Sequence, residues 1–254
     1  MDNMRPVVFF VITFVLLWLG VKLGSYLSRH LKEKINKEEK LVSLLGGALL
    51  TFFGLLVGFT FSMAVSRYDA RVLLIVKEAN AIGTTWLRTS SLEEPAKTQS
   101  QQLLKQYVPA RIGFLSSGHD AKQLQDSYAL TSDLQNRLWS VASAYAISHR
   151  DPITSLYIAT LNDTIDVTEE RRAALEDRIP SEAWGLLLFI GFAAMVIEGM
   201  NVSTQSSVLR ILLPFVLAGA VAMTLDMDSP RYGLIRLTQG SMERVQQQIT
   251  GNTP

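Results

Sequence analysis

Residues 41–66 read LVSLLGGALLTFFGLLVGFTFSMAVS, and this stretch decides the fold. It contains 26 consecutive uncharged residues and is bounded by Lys40 and Arg67. Because an α-helix rises about 1.5 Å per residue, the stretch is long enough to cross a hydrocarbon core about 30 Å thick. It therefore predicts a membrane helix over 41–66.

A second apolar run lies near the N-terminus. Residues 7–21 (VVFFVITFVLLWLGV) carry no charge and precede Lys22, whose long side chain can reach the headgroups. A cleaved signal peptide is the alternative, but no small-x-small cleavage site precedes the charged residues that follow. The run predicts a first membrane helix at about 7–24, so that residues 1–66 form a membrane helical pair.

Two shorter runs predict a second membrane pair. Residues 183–197 and 211–225 each hold 15 uncharged residues, and a short polar link joins them. They are typical of a membrane helical hairpin over 183–226, and a buried hairpin in a soluble protein is the alternative. The count is therefore four membrane helices.

The chain between the two pairs has a different composition. Residues 67–182 have the charge and the Gln, Ser and Thr content of a water-facing domain, and their apolar periodicity is helical. Asp151 before Pro152 is typical of a helix start. With residues 227–254 as a C-terminal tail, the predicted fold class is all-α: an integral membrane protein with four transmembrane helices and a helical extramembrane domain.

Composition excludes several classes of function. The 24 Lys and Arg residues balance 23 Asp and Glu residues, so we expect no nucleic-acid partner. The absence of Cys excludes disulfides, thiolate metal sites and cysteine nucleophiles. The three His residues lie far apart, and neither a nucleophile elbow nor a phosphate-binding glycine loop is present. We therefore expect no enzyme, no catalytic residue, no metal and no cofactor. The carboxylates Glu169 and Glu170 beside Arg171 and Arg172 are typical of a solvated helix face.

The helix over 41–66 has two unlike faces. A stripe about 100° wide is small and hydroxylated, and an opposite face of larger apolar residues, Phe53 among them, suits lipid or neighbouring helices. A helix contact face that includes Gly54 and Gly58 is one explanation of the stripe. A water-filled path with an apolar constriction is the other. The stripe comprises Gly47, Thr51, Leu55, Gly58, Ser62 and Ser66, with Phe59 at its edge.

Four segments, in order, resemble motifs of a bacterial family of bestrophin-like membrane proteins of unknown function, and more distantly the bestrophin ion channels. They are GLLVGFTFSMAVSRYDAR (54–71), EANAIGT (78–84), IDVTEERR (165–172) and LDMDSPRYG (225–233). The resemblance implies four membrane helices with a helical extramembrane domain, assembled as a ring. It further implies a pentamer in which the second helix lines an axial pore. Bestrophins conduct anions, and some bacterial members prefer cations.

Carried over by position, the apolar neck of the bestrophin pore falls on Thr51, Leu55 and Phe59. Bestrophins usually have a bulky apolar residue at the first of these positions. The hydroxyl of Thr51 therefore implies a shorter or better hydrated neck.

Polar residues outside the stripe are candidates for a pore vestibule or for structural roles. Arg67 directly follows the stripe, and Glu78 and Asn80 continue the same helix. Glu78 is a candidate cation ligand, or else pairs with Lys77 or Arg71 of a neighbour. Asn80 either shares the vestibule or permits close helix packing.

Two aspartates follow the last predicted membrane helix. Asp226 and Asp228 lie in a segment that resembles the acidic turn of bestrophins, but the ligands of a calcium clasp do not follow. We favour capping, or pairing with Arg231 or Arg67, for both.

These features predict an oligomeric ion channel. Its expected partners are copies of itself, the lipid bilayer and small inorganic ions. A non-conducting membrane sensor or scaffold is the alternative. No charge lies between Leu41 and Ser66, which disfavours a coupled transporter. The basic residues of the first loop favour that loop inside, whereas the bestrophin arrangement places it outside. We expect the bestrophin arrangement, in a bacterial inner membrane with the helical domain cytoplasmic.

Overall fold

The computed structural model describes residues 5–31, 37–116, 121–201, 208–229 and 233–251. Every helix or strand element in these ranges is an α-helix, and the predicted all-α class is confirmed. The helices are α1 (Arg5–His30), α2 (Glu39–Thr89), α3 (Ala96–Ser116), α4 (Ala121–Ser148), α5 (Pro152–Glu176), α6 (Ser181–Met200), α7 (Leu209–Asp228) and α8 (Gly240–Thr250).

The four predicted membrane helices are present as α1, α2, α6 and α7. Four apolar spans among the described residues are long enough to cross a bilayer. Helix α2 runs for 51 residues without a break, so it extends well beyond the apolar run 41–66 and includes Glu78 and Asn80, as expected. Hydropathy marks where the apolar run stops, but the backbone hydrogen bonds of a helix continue through charged residues.

The chain forms two compact units. The first contains residues 1–68 and 178–235, and the second contains residues 69–177 and 236–254. Helix α2 contributes to both, since its residues from Asp69 onward belong to the second unit.

In the first unit, α1 packs against α6 and α7. The crossing of α1 and α6 depends on glycine: a Cβ built at Gly24 would lie 1.9 Å from the carbonyl oxygen of Val196. A Cβ at Gly199 would likewise lie 2.2 Å from the carbonyl oxygen of Val21. These two positions bring the backbones closer than any side chain would permit.

Helix α2 joins the first unit through its large apolar face. Phe53 is 1% exposed and clusters with Leu187 and Ile190 of α6 and Val221 of α7. Its ring fits over Gly191, where a Cβ would lie 2.7 Å from the ring edge. Of the two settings expected for Phe53, lipid and neighbouring helices, the structure shows the second.

The second unit is a helical bundle with one apolar core. Ile75 and Ile82 of α2, Leu104 and Tyr107 of α3, and Leu138 of α4 are buried together. Met242, Val245 and Ile249 of α8 belong to the same core, so part of the predicted tail 227–254 is a packed helix.

The predicted start of α5 is confirmed. Asp151 is the N-cap, its carboxylate accepts the backbone N–H of Thr154, and Pro152 opens the helix. The accepted bond holds the pKa of the Asp151 carboxyl below its usual range.

Candidate pore face and its polar neighbours

The stripe of α2 is exposed along its whole length. All seven of its residues are exposed, and the large side chains of Leu55 and Phe59 are 51% and 60% exposed. No described atom beyond the helix's own lies within 4 Å of a Cβ built at Gly47, Gly54 or Gly58. These glycines therefore make no close contact within the described part of the chain.

An open groove of about 1150 Å³ runs along the first half of this face. Gly47, Thr51 and Leu55 line it, and Glu39 and Lys40 contribute charges near the start of α2. The Thr51 hydroxyl donates to the Gly47 carbonyl at 2.8 Å, so its donor is used by the helix itself. Its oxygen can still accept a bond from water, because a hydroxyl has two lone pairs.

The opposite face is packed, with one exception. Phe53 and Ala64 are buried in the first unit, whereas Met63 is 43% exposed. Helix α2 thus has a side that packs within the chain and a side that does not.

Beyond the stripe, Glu78 lies in the interior of the second unit. It is fully buried, and one carboxylate oxygen accepts from Arg111 Nε at 2.5 Å. The other oxygen accepts from Arg171 Nη1. Lys77, one of the partners considered for Glu78, binds Glu170 at 2.6 Å on the surface of the same chain. Burial with two arginines favours a structural role for Glu78.

Arg71, Glu78 and Thr85 form a polar ladder along α2. They are seven residues apart, so they share one face of the helix. Each binds α5 or the residue after it: Arg71 donates to the carbonyls of Ala174 and Asp177, at 2.9 and 2.7 Å. The Thr85 hydroxyl bonds at 3.0 Å to the Thr160 carbonyl, and also at 3.0 Å to the Thr164 hydroxyl.

The buried charged groups of this cluster shift one another's pKa values. For both arginines, burial is the largest effect on the pKa and opposes the charge. The attraction of Glu78 and neighbouring groups leaves the pKa of Arg111 above its ordinary value, while burial keeps that of Arg171 below. Burial also raises the pKa of Tyr107, whose hydroxyl bonds to Thr168 at 2.7 Å.

Sequence reasoning missed Arg111. The solvated face expected at Glu169 and Glu170 is present, but Arg171 beside them is buried. Both arginine side chains are nearly inaccessible. The available signal was the apolar setting of Arg111, between Val108 and Phe114, where a charge needs a partner.

The remaining candidates include the two aspartates near the end of α7. Asp226 accepts the backbone N–H groups of Leu234 and Ile235. The turn brings Gly233 so close to this carboxylate that a Cβ would lie 1.9 Å from it, and the φ of Gly233 is +125°. Asp228 accepts the backbone N–H of Ile179.

The carboxylates of Asp226 and Asp228 therefore both accept hydrogen bonds from backbone amides, as expected of a capping role. Arg231 lies outside the described residues. Arg67 is partly buried and Asn80 is exposed. Among the described residues, no group of three or more His, Asp or Glu side chains could hold a metal ion.

Comparison with known proteins identifies relatives of this fold. The family model of the bestrophin-like domain matches residues 7–242. No curated protein matches the chain.

Several solved structures do match it. A crystal structure of a membrane protein carrying a substitution has a TM-score of 0.67 at 13% identity. The match covers 98% of this chain and all of that one. A mutant bestrophin homologue from Klebsiella pneumoniae has a TM-score of 0.66 at 12% identity, covering 95% of this chain and 98% of the other. At these identities the likeness is one of fold.

Proposed function

This chain belongs to the bestrophin-like family, and from that premise we propose that it forms an oligomeric ion channel lined by the exposed face of α2. The observation that carries the proposal is the contrast between the two faces of α2. Phe53 fills a core on one side, while the stripe on the other side is exposed and its glycines have no described neighbour within 4 Å of a built Cβ. A single chain cannot enclose this stripe, so a closed path requires copies of the chain arranged around an axis.

Five copies are the number that the bestrophin resemblance implies. In a ring, each subunit presents the same stripe to the axis. The groove beside Gly47 and Thr51 then faces the axis or an adjacent copy. We therefore propose a pentamer in the membrane.

The neck of the proposed pore lies at Thr51, Leu55 and Phe59. Successive residues are four apart, so the three rings of side chains would be about 6 Å apart and span about 12 Å. Rings of Leu55 and Phe59 make water entry costly, because apolar walls offer no hydrogen bonds. Thr51 would supply an acceptor for water at one end of the neck.

The first experiment compares Phe59→Ala with Phe53→Ala in vesicles that contain the purified protein. Loss of the exposed ring at residue 59 should widen and wet the neck, so flux of small inorganic ions should rise. Phe53→Ala removes a similar volume from the packed face, so it should lower the melting temperature without raising flux. The mass of the complex in mild detergent and in native membrane fragments establishes whether the assembly is intact.

The competing function is a non-conducting scaffold. The open space around Gly54 and Gly58 favours it, because small residues also allow another helix to approach closely. In that case a bulky residue at either glycine should break the assembly, and no variant should pass ions. If neither the parent protein nor Phe59→Ala passes ions while the oligomer is intact, the stripe is a helix contact face and the scaffold function is the correct one.

We propose that the second unit is cytoplasmic and that the membrane is the bacterial inner membrane. The chain has no Cys, so single cysteines report without background. Ser140→Cys tests the second unit, since residue 140 is exposed on α4, and Ser28→Cys tests the end of α1. An impermeant thiol reagent should leave residue 140 unlabelled in intact cells and label it after lysis. Labelling of residue 140 in intact cells would reverse the orientation.

A further inference from the structure

The buried cluster of Glu78, Arg111 and Arg171 does not balance its charge. The three side chains are 0%, 1% and 2% exposed. Arginine stays protonated in proteins, so one carboxylate faces two cations. In the described part of the chain, no carboxylate other than that of Glu78 lies within 4.0 Å of either guanidinium. The cluster therefore carries a net charge of about +1.

The cluster also has unused donors. Arg111 Nη1 and Arg171 Nη2 are buried and have no hydrogen-bond partner among the described atoms. The two guanidiniums hold different oxygens of one carboxylate, so they are close neighbours. Two unsatisfied donors and one unit of positive charge thus occur together.

Tyr107, a buried residue that interacts electrostatically with Arg111, does not correct the charge imbalance of the cluster. The Tyr107 hydroxyl is already engaged by Thr168 and accepts from Gln135 Nε2 at 3.1 Å. Burial raises the pKa of Tyr107, so its phenol is neutral near pH 7 and adds no negative charge.

We propose that a small monovalent anion of the halide class, chloride in solution, binds inside the second unit beside Arg111 and Arg171. A single negative charge neutralises the cluster, and a spherical acceptor can receive bonds from both unused nitrogens. Water would satisfy the donors but leave the charge, and a buried unpaired charge is strongly destabilising. A divalent oxyanion would reverse the imbalance rather than remove it.

This site is separate from the proposed pore face. It joins α2 to α3 and α5 through Glu78, Arg111 and Arg171, so occupancy should stabilise the second unit whether or not the protein conducts ions. Its test therefore needs no flux measurement.

The first measurement is the melting temperature of the full-length protein in mild detergent. Sodium chloride or bromide should raise it relative to sodium gluconate at equal ionic strength. Glu78→Gln keeps the shape of the side chain but raises the cluster charge to about +2, so half-maximal stabilisation should need at least about tenfold less bromide. Arg171→Leu leaves a neutral Arg111–Glu78 pair, and the halide-specific increase should disappear. Arg137→Ala is the matched control, because Arg137 is exposed and its only described ion pair is with Asp133, so its halide response should match the parent.

Crystals of the parent protein grown in bromide give an independent result that does not depend on any variant folding. Anomalous scattering should place a bromide beside Arg111 Nη1 and Arg171 Nη2. A water there, with no bromide signal, would overturn the proposal. Halide stabilisation that persists undiminished in a folded Arg171→Leu protein would also overturn it, since the responsible site would lie elsewhere.

Discussion

The crossing of α1 and α6 yields a prediction whose size follows from the geometry. In Gly24→Ala, the added methyl group would lie 1.9 Å from the Val196 carbonyl oxygen. Real Cβ atoms essentially never approach a heavy atom closer than 3.0 Å, so the helices must separate locally by at least about 1 Å. The obstacle is backbone rather than a flexible side chain, so no rotamer change relieves it. Overpacking of this kind costs about 1–3 kcal/mol, and for a chain of this size each kcal/mol lowers the melting temperature by about 2–4 °C.

Gly54→Ala is the matched control for this experiment. It adds the same methyl group to a membrane helix, at a position where nothing described lies within 4 Å. Alanine is the better helix former, so this variant should melt at or slightly above the parent temperature. Fluorescence-detected gel filtration after heating in mild detergent measures both variants. If Gly24→Ala melts no lower than Gly54→Ala, the close approach of α1 and α6 is not what stabilises the first unit.

Two further predictions concern the second unit. Thr85→Val keeps the side-chain shape but removes the buried hydroxyl bonded to Thr160 and Thr164, so unfolding should become about 1–3 kcal/mol easier by thermal melting; an unchanged melting temperature would exclude this bond as a stabilising one. The Thr154 backbone N–H holds the pKa of Asp151 below its usual range, so the stability from this cap is complete above about pH 4 and is lost as the pH falls through the lowered pKa. Asp151→Asn retains a capping oxygen without this titration, so the difference in melting temperature between parent and variant should shrink as the pH falls, and a difference that is constant with pH would contradict the assignment.

The membrane helices were predictable because their signal is local. A run of uncharged residues such as 41–66 has to be long enough to cross a bilayer, and that requirement is visible in consecutive residues. The two unlike faces of this helix could likewise be predicted by placing its residues at 100° intervals around the helix axis. The pairing of Glu78 with Arg111 and Arg171 was not, because the partners are 33 and 93 residues away and follow no repeat. The run of charges from Glu169 to Arg172 predicted a solvated face, and only the packed bundle shows that Arg171 is buried with Glu78.

The burial of Glu78 also explains how α2 and α5 keep one alignment. A slip of α5 by one helical turn, about 5.4 Å, would replace Arg171 opposite Glu78 by Val167 or Leu175, which are buried apolar side chains. The carboxylate would then lose one of its two cations inside the bundle, and breaking a buried ion pair in this way costs about 3–5 kcal/mol. Apolar contacts would distinguish the two alignments less sharply, because an aliphatic side chain packs against many others of similar volume. The charged rung of the ladder therefore specifies the register, while the apolar core around Tyr107 and Leu138 fills the interior of the bundle.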